Sequence, residues 1–100
     1  MFSRQTFESV GKILKDARIV QGLSQRDVSL KLGYTSPQFI SNIERGLCMP
    51  PLKQLKIMID LYDLNAATVA ELIVDAQSDF IRDQLGISGS KKKVARGGRR

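Results

Sequence analysis

The sequence predicts an all-α fold of five helices, the fifth longer than the others. Three observations carry this. Apolar residues recur at three- and four-residue spacing in successive segments. Ser, Thr or Asn stands at the starts as an N-cap. Glycines and prolines fall between the periodic segments rather than inside them. One hundred residues with 42% hydrophobic content make one small domain with a modest core.

The elements follow in order. Residues 1–6 read as a short, loose lead-in, with Thr6 capping a first helix over residues 7–21. Phe7, Val10, Leu14 and Ala17 share one face of it, Gly22 ends it, and Leu23 turns inward. Ser24 caps the next helix, with Asp27 three residues on in a weaker form of the capping box. Val28, Leu30 and Leu32 are its apolar positions, and Gly33 stops it. Ser36 and Pro37 restart the chain as cap and first helical residue. The third helix buries Ile40 and Ile43 and stops at Gly46, while Gln38, Ser41, Asn42 and Arg45 form its polar outer face.

Pro50 and Pro51 open a fourth helix, Pro51 at its first position. Leu52, Leu55, Ile59 and Tyr62 form its inner stripe, joined by Met58, while Lys53 and Lys56 point away. Asn65 caps the fifth helix, and Leu64 with Val69 makes a hydrophobic staple. That helix extends to about Leu85. The part through residue 73 completes the bundle with Val69 and Leu72, and Ala76, Phe80, Ile81 and Leu85 remain as apolar surplus. Either this end folds back on its own domain or it pairs with a second chain; a homodimer is expected. Residues 7–73 are thus the domain, 74–86 an extension for dimerisation, and 87–100 a disordered, basic, glycine-rich tail.

Residues 24–46, helix, glycine turn and helix with a polar outer face, have the pattern of a DNA-binding helix-turn-helix. Here the chain resembles the lambda-repressor-like, or XRE, family of prokaryotic regulators. The resemblance spans residues 10–73. Its elements are V-G-x-x-L-x-x-A-R from Val10, G-L-S-Q from Gly22, Leu32-Gly33, I-S-N-I-E-R-G from Ile40, and P-x-L-x-x-L from Pro50. The resemblance implies that Arg18 pairs with Glu44 and locks the first helix to the third; otherwise the Arg18 head reaches water past a packed stem. It implies that Gln25 contacts the DNA backbone and that Pro37, Gln38, Ser41 and Asn42 lie nearest the bases.

The physics of each position agrees. Thr35 and Ser36 precede a helix N-terminus, a natural phosphate site. Gln and Asn can bond adenine at two points, Ser is permissive, and Pro37 offers only apolar contact with a thymine methyl. Arg45, at the far end, meets a phosphate rather than a base.

Three features depart from the family. The turn Gly33-Tyr34-Thr35-Ser36 is one residue longer than its commonest form, shifting register by a residue. Pro37 replaces a polar residue. Leu47-Cys48-Met49 follows Gly46, where relatives place Lys or Arg. Tyr34 either supplies a hydroxyl to a phosphate instead or covers the core.

Composition narrows the function further. Residues 1–56 carry nine Lys/Arg against four Asp/Glu, residues 57–86 one against six, and residues 87–100 six against none. A basic front and an acidic back suit an oriented approach to double-stranded DNA. Cys48 is alone and His is absent, so no disulfide scaffold, metal or cofactor is expected. Cys48 reads as a small loop residue, since nothing near it in sequence lowers its pKa. The scattered carboxylates and the lack of an imidazole base argue against an enzyme. No apolar run approaches the ~18 residues of a membrane span, and no signal-peptide pattern opens the chain. A cytoplasmic, nucleoid-associated regulator is expected, a repressor because no activation domain is visible. The alternative is a protein-interaction module or antitoxin-like regulator working through its long acidic helix.

Overall fold

The computed structural model describes residues 2–87. Among the described residues there are five α-helices and no strand: α1 Arg4–Val20, α2 Gln25–Lys31, α3 Gln38–Glu44, α4 Leu52–Leu61 and α5 Ala66–Gln84. The core gathers Val10 and Leu14 of α1, Val28 of α2, Ile40 and Ile43 of α3, Leu55, Met58 and Ile59 of α4 with Tyr62 just after it, and Val69 of α5. Each such side chain contributes about 1.5–3 kcal/mol by leaving water. The expected basic tail, residues 87–100, lies outside the described residues apart from Ile87.

Local chemistry sets the helix starts. Ser24 Oγ accepts from the Asp27 N–H, and Asp27 Oδ2 accepts from the Ser24 N–H, each at 2.9 Å. This reciprocal box closes the N-terminus of α2. The Ser24 backbone bond, then its hydroxyl, holds the Asp27 carboxyl below its ordinary value. Its contribution is therefore present above that ordinary value and is lost as pH falls through the lowered one. Ser36 Oγ accepts from the Gln38 N–H at 3.0 Å, with Pro37 already in helical φ,ψ. Asn65 Oδ1 accepts from the Thr68 N–H at 2.9 Å.

Several expectations need correction. The first helix begins earlier, with Ser3 and not Thr6 as cap. Ser3 Oγ accepts from the Thr6 N–H at 3.1 Å. Thr6 lies buried in the first turn and donates to Gln77 Oε1 of α5 at 2.8 Å. The Ser3 N–H donates to the same oxygen at 3.0 Å. A polar side chain 71 residues downstream thus fastens the lead-in, and no local pattern announces it. Pro51 caps α4 in an extended conformation, so Leu52 holds the first position. Leu30, Leu52 and Leu72 face solvent, at 54%, 79% and 41% exposure. Ser29, not Leu30, is the buried neighbour of Val28.

Gly11 lies inside α1, against the expectation that glycines fall only between helices. A Cβ there would fall on the Ile43 carbonyl oxygen and 2.9 Å from that of Glu44. This glycine lets α1 and α3 approach backbone to backbone. Gly11→Ala is expected to destabilise the fold by about 1–3 kcal/mol through overpacking. It does so although Ala is the better helix former by roughly 0.5–1 kcal/mol. Urea unfolding checks this; an unchanged or raised midpoint would show that the two helices separate freely.

Candidate nucleic-acid interface

The site is built on α3, whose two faces do different work. Its inner face carries Ile40, Ile43 and Glu44, all buried. Glu44 holds the helix in place by charge. Arg18 Nε donates to Glu44 Oε2 at 2.6 Å and Arg18 Nη2 donates to Glu44 Oε1 at 3.0 Å. The two side chains are 11% and 2% exposed. Arg18 Nη1 also donates to the Leu23 carbonyl at 2.7 Å, tying in the chain ahead of α2. The Glu44 hydrogen bonds raise the Arg18 pKa above its ordinary value, against the opposing effect of burial. Tyr62 lies beside this pair, its hydroxyl buried without a hydrogen-bond partner among the described residues. Burial first, and then the Glu44 charge, push its ionisation up.

Gln25 joins the same network. Its Nε2 donates to Glu44 Oε1 at 3.0 Å, so the side chain is half-buried and turned inward. The sequence places it at the start of α2, but the pull of a buried carboxylate decides where its amide goes.

The outer face of α3 carries Gln38, Ser41, Asn42 and Arg45. Gln38 and Arg45 are exposed, while Ser41 and Asn42 are half-buried. Gln38 Nε2 donates to Asn42 Oδ1 at 2.8 Å, and Arg45 Nη2 donates to the same oxygen at 2.9 Å. Thr35 and Ser36 are exposed at the entrance to the helix, with Pro37 half-buried beside them. The Ser36 oxygen is occupied as acceptor by capping, which leaves its hydroxyl proton free to donate outward. The Tyr34 ring packs on Phe39 with centroids 4.5 Å apart, covering the longer turn.

The far end of α3 closes on Gly46, where φ is +76° and a Cβ would lie 2.9 Å from Glu8 Cα. The Leu47 N–H then bonds the Asn42 carbonyl at 2.9 Å. Leu47 is exposed, whereas Cys48 and Met49 pack against the core. Among the described residues no group of three or more His, Cys, Asp or Glu is placed to hold a metal, and no helix is long and apolar enough to cross a membrane.

α5 packs chiefly on α1. Ala76 and Phe80 are half-buried within their own chain, while Ile81 and Leu85 are 47% and 70% exposed. These last two line an apolar groove of about 910 Å³ with Phe2, Leu52, Ile73 and Val74.

Sequence reasoning passed over three residues that shape the site: Gly11, Tyr62 as a neighbour of the ion pair, and Gln77. Only Gly11 left a signal, a glycine inside an otherwise helical pattern.

Comparison with curated proteins gives no match. A helix-turn-helix family model matches residues 14–69, more than half of the chain, from the middle of α1 into α5. The chain therefore belongs to the XRE-type, lambda-repressor-like helix-turn-helix family of DNA-binding transcriptional regulators.

Proposed function

We propose that this protein is a sequence-specific repressor that occupies its operator as a homodimer, in the cytoplasm, without cofactor. Each α3 enters a major groove. The observation that carries the reading is the division of labour on α3: Ile40, Ile43 and Glu44 are locked into the fold, and Gln38, Asn42 and Arg45 line up on the opposite face. Thr35, Ser36 and the exposed α2 entrance supply phosphate contacts, and Lys and Arg supply the salt-dependent affinity. Residues 88–100, with six basic side chains from Lys91 onward, add sequence-independent affinity.

Gln38→Ala tests this. Specific binding is expected to weaken by ~1–3 kcal/mol with non-specific binding nearly unchanged. A variant that recovers the parent's sites at the parent's affinity would mean that α3 is not the reader.

A second reading is favoured by two observations, the apolar groove beside α5 and exposed Leu47 where the family places a base. On this reading the chain is a protein-interaction or antitoxin-like module whose partner seats on α5. A salt titration on random duplex DNA separates the two. Binding that falls steeply with salt supports the repressor; absence of binding supports the module.

A further inference from the structure

Asn42 stands between Gln38 and Arg45, and its Oδ1 accepts from both, at 2.8 and 2.9 Å. A guanidinium has donors and no acceptor. The Asn42 atom that faces Arg45 is therefore the oxygen. The Gln38 atom that faces this oxygen is in turn the nitrogen. One cation fixes the polarity of two amides, each of which can otherwise turn over with almost no change in shape.

What remains for a partner follows by counting. Both lone pairs of Asn42 Oδ1 are used, so Asn42 offers only its Nδ2 donors. Gln38 keeps its Oε1 acceptor and one N–H donor, and these lie side by side when the N–H trans to Oε1 is the one that bonds Asn42. An adjacent acceptor and donor match adenine N6 and N7; donors alone match guanine N7 and O6 or thymine O4.

We infer that Arg45 is a positioning residue for base readout: it orients Asn42, and through it Gln38, so that α3 presents acceptor-with-donor at 38 and donors alone at 42. This rests on the reading of α3 as the base reader. It differs from the phosphate contact that the position of Arg45 alone suggests.

Selection of bound sites from randomised duplex DNA tests it with the parent, Arg45→Ala and Asn42→Asp. Arg45 is exposed, so its truncation leaves the fold intact, which circular dichroism verifies. The parent selects adenine opposite residue 38 and guanine or thymine opposite residue 42. In Arg45→Ala both preferences flatten, by roughly 5- to 150-fold, the discrimination a good base contact supplies. Asn42→Asp keeps two acceptor lone pairs for Gln38 and Arg45. It therefore retains the adenine preference and loses the other. If Arg45→Ala weakens all sequences alike, with a shallower salt slope and unchanged preferences, Arg45 is a phosphate anchor and the inference falls. Loss of both preferences in Asn42→Asp overturns it as well. A parent that selects no sequence overturns both this inference and the functional reading beneath it, whereas preferences that survive Arg45→Ala overturn the inference alone.

Discussion

Glu44→Ala is expected to cost the fold about 3–5 kcal/mol, the usual penalty for breaking one side of a buried ion pair. Arg45→Ala, one residue on, should stay within about 0.5 kcal/mol of the parent, as an exposed substitution does. The contrast follows from where the two side chains end. Removing the Glu44 carboxylate strips Arg18 of two charge-assisted bonds, at 2.6 and 3.0 Å, and leaves a guanidinium only 11% exposed with the Leu23 carbonyl. It also frees the Gln25 amide, which donates to the same carboxylate. Removing Arg45 frees one acceptor on Asn42 at the surface. Urea or thermal unfolding of the two variants decides the matter, and equal midpoints would sink the claim.

The size of that penalty is not the net worth of the pair. Much of it is the cost of an orphaned buried charge, so replacing both partners together, Arg18→Met with Glu44→Leu, should recover most of the loss. What the apolar pair cannot recover is the placement of Gln25, which has no other partner in this network. The double variant is therefore expected to fold nearly as well as the parent while holding the α2 entrance less firmly.

The fold was legible where a local interaction decides local structure. The Ser24–Asp27 box, the Ser36–Pro37 start and the Asn65 cap each involve groups within three residues of one another. They read directly from sequence because the physics acts over the same short range. The failures share the opposite cause. Thr6 looked like a cap because nothing near it shows that Gln77 waits 71 residues away. Leu30, Leu52 and Leu72 looked like core because apolar spacing gives a stripe, not the edge of the stripe that the neighbouring helix covers. Gly11 was passed over because its reason is the backbone of α3.

The site divides in the same way. Which residues lie on the outer face of α3 follows from the 3.6-residue period alone. How Gln38, Asn42 and Arg45 bond one another depends on rotamers, which the period does not fix. Gln25 turns inward because a buried carboxylate competes with solvent for its amide, and a sequence does not record which one prevails.

Ile81→Asp with Leu85→Asp is expected to leave a folded monomer and to lower operator affinity by roughly 10²–10⁴-fold, the gain that linking two half-sites supplies. Both side chains reach solvent, at 47% and 70% exposure, so the new charges do not enter the core. Phe80→Asp is a poorer choice, because Phe80 is half-buried within its own chain and its loss confounds folding with assembly. The groove that Ile81 and Leu85 line is the kind of exposed apolar surface that usually marks an interface. A second copy suits it. In the proposed dimer, two α5 ends paired about a two-fold axis would present two α3 helices to successive major grooves, about 34–36 Å or a multiple apart, on a near-palindromic operator. α5 carries Glu71, Asp75, Asp79 and Asp83 against one basic residue, Arg82, a balance that would disfavour its approach to DNA. They also limit the pairing, since two acidic helices repel unless the apolar seam between them is well packed. Two added aspartates per chain act on both counts: they remove apolar area from the seam and increase the repulsion across it. Chromatography with light scattering, followed by operator titration, measures the outcome. A parent already monomeric at high micromolar concentration, or a variant that binds the operator as tightly as the parent, would refute the α5 dimer and leave the groove to another partner.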